Sequence, residues 1–181
     1  MAIVNLLPDG DISNSPAWTI GTGSDVYAVL DDDDTGHVTS DSSDIEATAT
    51  GKTCVVEMTD HSLDAGTTIN SVQGVIKHNN RGRGTTYAIE MIILHSGGTY
   101  YTESTGTQSG ASSWRTTTFT ERTTSNGSAA WTLAQIDDLQ MSLELTAHTG
   151  GTTGITYVYF TVDYTVPAAV TDNAILFGTA I

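Results

Sequence analysis

The chain has 181 residues, a mass of 19.0 kDa and a formal net charge of −15, from 6 Lys and Arg against 21 Asp and Glu. This length suffices for one domain with a full hydrophobic core. The acidic balance excludes nucleic-acid binding and adsorption to an anionic membrane, because both require a basic surface. The single cysteine, Cys54, excludes an internal disulfide framework.

The N-terminal part of the chain alternates short apolar segments with polar turns. Residues 1–10 are apolar up to Pro8 and then turn, which predicts an edge strand or an arm that docks elsewhere. The segment Asp25–Leu30 predicts a strand, and the acidic run Asp31–Asp34 that follows is typical of an exposed loop. Weaker strand patterns follow at His37–Ser40 and Ile45–Thr50.

The middle of the chain contains the most hydrophobic strands. Ile69–His78 and Thr85–Leu94 both alternate apolar and polar residues, and Thr85–Leu94 is apolar enough to lie inside its sheet. The short turn Arg81–Gly84 between them predicts a β-hairpin. Further strands are predicted at Thr99–Glu103 and Trp114–Glu121.

The C-terminal third contains the only clear helix signal. Thr132 and Gln135 have the spacing of a capping box, which predicts a short helix over 132–139. The strand Leu139–Thr146 follows. In the last strand, Ile155–Val166, the alternation places Val158 and Phe160 toward the core, and Tyr157 and Tyr159 on the opposite face.

Eight to ten strands separated by turns predict an all-β protein, an antiparallel β-sandwich of jelly-roll type. We divide the chain into an N-terminal arm or edge strand (1–10), one sandwich domain (11–166) and a C-terminal tail (167–181). Both terminal segments contain apolar residues that must be buried, either on their own domain or on a neighbouring subunit. These candidate interface residues are Ile3, Val4, Leu6, Leu7, Ile175, Leu176 and Phe177.

Other candidate sites rest on weaker patterns. The acidic run Asp31, Asp32, Asp33 and Asp34 supplies oxygen ligands suited to Ca²⁺, but it lacks EF-hand spacing, and a solvated turn is the simpler interpretation. Trp114, Tyr100 and Tyr101 predict either a saccharide-stacking surface or residues that serve in core packing and interface anchoring. The chain has no nucleophile elbow, phosphate loop or metal-binding histidine motif, so we expect neither an enzyme nor a cofactor.

Two stretches carry a resemblance to a known class of proteins. In the first, Trp131 opens the short helix, which ends at Leu139 and Gln140, and the last strand closes with Val162, Asp163 and Tyr164. The second comprises Trp18, the segment Asp25–Leu30 and the acidic loop before His37–Ser40. Together they cover about half of the chain, and they resemble virion structural proteins of tailed bacteriophages.

The resemblance implies a jelly-roll subunit of a phage particle. The size of the chain, without a repetitive shaft, favours a capsid decoration protein that reinforces the shell as a homotrimer. Its partners would then be further copies of itself and the major capsid protein or another virion protein, and it would reside in the virion. The alternative is a carbohydrate- or receptor-binding jelly-roll module of a phage tail. Arg81, Arg83, Arg115 and Arg122 are the candidates for pairing with acidic shell residues.

Overall fold

The computed structural model describes residues 2–21, 24–31, 44–95 and 98–167, and these form twelve strands and two short helices. The elements in chain order are β1 (Ala2–Leu6), β2 (Pro8–Asn14), β3 (Thr19–Ile20), α1 (Tyr27–Leu30), β4 (Ile45–Ala47), β5 (Thr53–Met58), β6 (Thr68–Asn80), β7 (Thr86–His95), β8 (Gly98–Ser104), β9 (Gln108–Ser109), β10 (Ala111–Thr118), α2 (Leu133–Asp137), β11 (Gln140–His148) and β12 (Thr153–Thr165).

The strands form two antiparallel sheets. Sheet A has the order β10-β6-β12-β4-β3, and β1 pairs with β12 beyond the end of β4. Sheet B has the order β2-β5-β11-β7-β8, with β9 also paired to β7. From β4 onward the chain changes sheet at β4–β5, β5–β6, β6–β7, β9–β10, β10–β11 and β11–β12. The resulting orders, β4-β12-β6-β10 in sheet A and β5-β11-β7-β8 in sheet B, are those of a jelly roll. The predicted fold class is therefore confirmed.

One continuous hydrophobic core lies between the two sheets. In β12, Val158 and Phe160 are fully buried, and in β7 the alternate residues Tyr87, Ile89 and Met91 are fully buried as well. This alternation is the one read from the sequence, because an antiparallel sheet buries one face of each strand. As predicted, β7 lies inside its sheet, between β11 and β8.

The predicted hairpin between β6 and β7 is wrong. The turn Arg81–Gly84 carries the chain from sheet A to sheet B, and the two strands pair with different neighbours. A short turn between two amphipathic strands looks the same whether they lie side by side or face each other across a core. Here β6 cannot pair with β7, because β10 and β12 already occupy both edges of β6.

The predicted strand Asp25–Leu30 is also wrong, because Tyr27–Leu30 forms a single helical turn. The carboxylate of Asp11 accepts hydrogen bonds from the backbone N–H groups of Val26 (2.8 Å) and Tyr27 (2.7 Å). An acidic group at the start of a helix stabilises it through these otherwise unpaired donors. Asp11 lies 15 residues upstream of Val26, so no local sequence pattern predicts that it caps this helix.

The second helix, α2, confirms the capping box. The Gln135 N–H donates to Thr132 Oγ1 (3.3 Å), and the Thr132 N–H donates to Gln135 Oε1 (2.9 Å). The helix ends at Asp137, two residues before the predicted end, and it buries Ile136. Within the described ranges, no helix is long and apolar enough to cross a membrane.

Candidate functional site

A pair of tyrosines stands on the outer face of sheet A. Tyr157 and Tyr159 alternate in β12 with the fully buried residues Val158 and Phe160, so their rings lie on the side away from the core. The ring centroids are 4.9 Å apart and the planes are inclined by 39°. Both side chains are half-buried. We call these two residues the tyrosine pair.

A cluster of polar residues lies on the same face, where β4, β12, β6 and β10 meet. Gly154 is paired with Asn79 on one side and with Glu46 on the other. A Cβ atom at position 154 would lie 2.5 Å from Asp44 Oδ2, 3.0 Å from Asn79 Oδ1 and 3.3 Å from Trp114 Cη2. Only glycine therefore lets these three side chains converge on the sheet surface. We call Asp44, Asn79, Arg81, Trp114 and Gly154 the polar corner.

An ion pair holds the polar corner together. Arg81 donates from Nη2 to Asp44 Oδ2 (2.6 Å) and from Nη1 to Glu46. The Asp44 side chain is 2% exposed, whereas that of Arg81 is 41% exposed. Arg81 was expected to meet an acidic partner protein, but it neutralises a buried carboxylate of its own chain. Its backbone N–H also donates to the carbonyl of Thr152, at 2.9 Å.

One buried acceptor at the polar corner is unsatisfied. Asn79 is 2% exposed, and within the described part of the chain its Oδ1 accepts no hydrogen bond. A buried amide oxygen without a donor costs free energy, so native structures normally pair such atoms. A ligand hydroxyl group is one donor that suits it.

The inner face of the same sheet carries a buried histidine. His78 Nδ1 lies 2.8 Å from the Tyr87 hydroxyl and Nε2 lies 2.8 Å from Thr117 Oγ1. Burial, and secondarily the nearby charge of Arg115, lowers the pKa of His78 to about 4. The imidazole is therefore neutral at pH 7, and both of its nitrogens are occupied by protein hydroxyl groups.

Metal and thiol chemistry find little support in the structure. Among residues 2–21, 24–31, 44–95 and 98–167, no three His, Cys, Asp or Glu side chains are grouped closely enough to hold a metal ion. Asp31 ends helix α1, with its N–H donating to the Tyr27 carbonyl at 3.0 Å, while Asp32, Asp33 and Asp34 lie outside the described residues. Cys54 is fully buried in the hydrophobic core, and burial raises the pKa of its thiol.

The aromatic residues grouped by the sequence analysis lie on different sheets. Trp114 belongs to β10 in sheet A, whereas Tyr100 and Tyr101 belong to β8 in sheet B. The Tyr101 hydroxyl donates to the Thr124 carbonyl (2.6 Å), and the Arg122 guanidinium stacks on its ring, 4.3 Å from the centroid.

Tyr100 has a structural role as well, because its ring centroid lies 5.0 Å from that of the buried Trp131. Tyr100 and Tyr101 therefore anchor the loop and helix that precede β11. Of the three predicted residues, only Trp114 joins the site on sheet A. The tyrosine pair was missed as a site, although the alternation in β12 had already placed both rings on the outer face.

The N-terminal residues form an edge strand of their own domain, which is one of the two predicted alternatives. Strand β1 pairs with β12, from Ala2 opposite Tyr164 to Leu6 opposite Phe160. Leu6 is buried in the core, and Val4 packs against it. Leu7 is half-buried. Ile175, Leu176 and Phe177 lie outside the described residues.

The free edge of β1 remains open within the described parts of the chain, since β12 is its only paired neighbour there. Ile3 on this strand is 66% exposed, and Val166, directly after β12, is 53% exposed. Two of the three exposed large hydrophobic residues in the described ranges therefore lie at the end of sheet A where β1 begins. The third, Ile12, is on β2 at the edge of sheet B.

Comparisons with known proteins do not indicate a family or a function for this chain. No family model and no curated protein matches this chain. A solved structure described as "CBM4 structure and function" is similar over 65% of this chain and 78% of that chain, with 15% sequence identity and a TM-score of 0.36. A similarity of this strength is consistent with the β-sandwich and carries no argument about function.

Proposed function

We propose that this chain is a non-enzymatic structural subunit of a virus particle, a capsid decoration protein that assembles as a homotrimer. Three features support the proposal: the jelly-roll fold, the resemblance of two sequence stretches to phage virion proteins, and an open sheet edge beside exposed apolar residues. The open edge of β1 is the observation that carries the proposal.

An unpaired strand edge is a surface to which another strand can add. Its free N–H and C=O groups pair with an incoming strand, and proteins usually protect such edges with charge or with proline. Strand β1 has the sequence AIVNL, which contains neither. Its exposed residue Ile3 adds apolar area next to the edge. These properties suit a contact with a second copy or with the shell beneath it.

The charge of the chain fits an assembly held by edge and apolar contacts. Each copy carries a net charge of −15, so copies repel one another at long range. Strand addition and burial of Ile3 and Val166 supply short-range attraction that does not depend on opposite charges. On a particle, many copies reinforce one another, so each contact can be modest.

Light scattering after size exclusion tests the proposal on the full chain. We expect a trimer, three times the 19.0 kDa chain. The substitution Ile3→Lys places a charge beside the open edge while facing Asp163 across the strand pair, so the fold is retained. We expect it to weaken self-association by at least about tenfold, as for a central apolar interface residue.

Ile12→Lys is the matched control, because Ile12 is similarly apolar and 46% exposed but lies on the edge strand of sheet B. It should leave the association constant unchanged. A monomer at all protein concentrations would overturn the proposal, as would a trimer that Ile3→Lys and Ile12→Lys weaken equally.

A further inference from the structure

We infer that the outer face of sheet A, from the tyrosine pair to the polar corner, binds a neutral saccharide. This activity is separate from self-association, because β1 borders β12 at Phe160–Tyr164 whereas the polar corner lies around Gly154 at the other end of that strand.

The aromatic rings supply the stacking surface. Tyr157 and Tyr159 follow each other along one face of β12, and the Trp114 indole lies over Gly154, farther along the same strand. Same-face residues in a strand are roughly 7 Å apart, so the three side chains form an array along the strand direction. Pyranose rings present faces of C–H groups, and these pack on aromatic faces.

Hydrogen-bonding side chains flank the rings in register across the sheet. Tyr157 is paired with Lys77 of β6, which is paired in turn with Thr116 of β10. One row further along, Tyr159 is paired with Val75, and Val75 with Thr118. This combination of ring faces with hydroxyl and amine groups is typical of surfaces that recognise sugars, which are apolar on their faces and polar at their edges.

Asn79 provides an independent indication of a ligand. Its side chain is nine-tenths buried or more, it shares the outer face with Lys77, and its Oδ1 lacks a donor among the described residues. The atom lies beside the position that a Cβ of residue 154 would occupy, next to the Trp114 indole. Because this oxygen is buried, the Trp114 side chain must shift before a hydroxyl of a bound saccharide can donate to it. The hydrogen bond then formed would remove the cost of leaving the oxygen unpaired.

The charge of the chain indicates which class of saccharide this face would bind. The net charge of −15 repels sulfated and uronic-acid polymers at long range. Within the polar corner, Arg81 is already committed to Asp44 and Glu46, so it does not offer an anion site. Lys77 is one positive charge on this face, against a net charge of −15 for the chain, so we assign a neutral hexose or pentose polymer as the occupant. On the outer face of sheet B, by contrast, the rows of Glu57, Glu90 and Glu144 are acidic.

Affinity electrophoresis in gels containing hydroxyethyl cellulose, xylan, mannan or dextran tests the inference, with heparin as the polyanion. We expect at least one neutral polymer to retard the protein and heparin to leave its mobility unchanged. The double variant Tyr157→Thr and Tyr159→Thr keeps residues that favour strands and removes both rings. We expect it to weaken binding by about tenfold or more.

The matched control is the double variant Tyr157→Phe and Tyr159→Phe, which keeps the ring faces and should bind within about threefold of the native chain. Urea unfolding of both variants verifies that they are folded. No retardation by any neutral polymer, retardation by heparin alone, or equal binding by the Thr and Phe variants would each overturn the inference. None of these outcomes bears on the trimer, which is measured separately.

Discussion

The two sheets of this sandwich differ in what they bury. Among the described residues, sheet B buries apolar side chains and one polar residue, Ser142, whereas sheet A, together with Asp44 just before β4, buries seven polar residues. Those of sheet A are Asp44, Ser71, His78, Asn79, Asn80, Thr153 and Thr156. Six of the seven lie at the end of the sheet where β12 begins and the short strand β4 and strand β6 end. The buried residues of sheet B are thus almost all apolar, whereas sheet A accommodates buried polar groups at one end.

The buried polar groups of sheet A require specific partners. Asn80 illustrates this, since its Nδ2 donates to Thr153 Oγ1 (2.9 Å) and its Oδ1 accepts from the Gly82 N–H (2.8 Å). Such networks cost stability unless they are satisfied, so they restrict the local geometry to one arrangement. The Asn80 network therefore fixes the turn at Gly82 against the start of β12, next to the polar corner.

The outer face of sheet B shows the opposite arrangement. Glu144 of β11 is directly opposite Glu90 of β7, and like charges in this position repel each other. The neighbouring row contains Val55, Ser142, Ile92 and Thr102. Charged residues on this face keep it solvated, whereas those of the polar corner hold strands together. The effects of substitutions on the free energy of unfolding should therefore differ in size and in sign between the two sheets.

The largest expected effect is the pH dependence contributed by His78. Its pKa is lowered to about 4 in the fold and is near 6.5 in the unfolded chain. The unfolded state therefore binds the proton first, and stability present at pH 7 is lost as the pH falls from about 6.5 to about 4. The loss is on the order of 3 kcal/mol, measured by urea unfolding.

His78→Gln removes this titration while keeping a neutral polar side chain, so the pH profile of the variant isolates the contribution from those of the carboxylates. If the stability of the native chain and that of the His78→Gln variant depend on pH in the same way, His78 is not a buried neutral histidine. NMR provides a direct check, because the His78 resonances should stay constant between pH 7 and pH 5.

Removal of Arg81 should have the next largest effect. Arg81→Ala leaves the buried carboxylate of Asp44 without its cation, and removing one partner of a buried ion pair is strongly destabilising. We expect a loss of about 2 kcal/mol, less than for a fully buried pair because solvent reaches the guanidinium. Chemical denaturation measures it. Arg83→Ala, an exposed arginine in the same turn, should change stability by less than about 0.5 kcal/mol, and equal losses would refute the difference.

The smallest effect is expected on sheet B, with the opposite sign. Glu144→Gln removes the repulsion with Glu90 and should stabilise the fold by about 0.3 kcal/mol. Thermal unfolding at low ionic strength is the measurement, because salt screens the effect. Glu57→Gln, at a position opposite the neutral Gln140, should leave the melting temperature unchanged. A lower melting temperature for Glu144→Gln would show that this carboxylate contributes to the fold.

The candidate site was only partly accessible to sequence reasoning. The alternation in β12 placed Tyr157 and Tyr159 on the outer face, because strand periodicity is a local property. The grouping of Trp114 with Tyr100 and Tyr101 failed because the chain changes sheet between β9 and β10. Asp44 and Arg81 are 37 residues apart, and no short pattern indicates that they pair.

Local sequence patterns were enough to predict the fold class, the inward face of the long strands and the capping box at Thr132, since each depends on residues a few positions apart. Tertiary structure decided the rest: that β6 and β7 face each other across the core, and that Asp11 caps a helical turn at Tyr27. It also decided that Asp44, Asn79 and Trp114 meet over Gly154. These features depend on which strands become neighbours, and that is fixed by burying both sheets against one core.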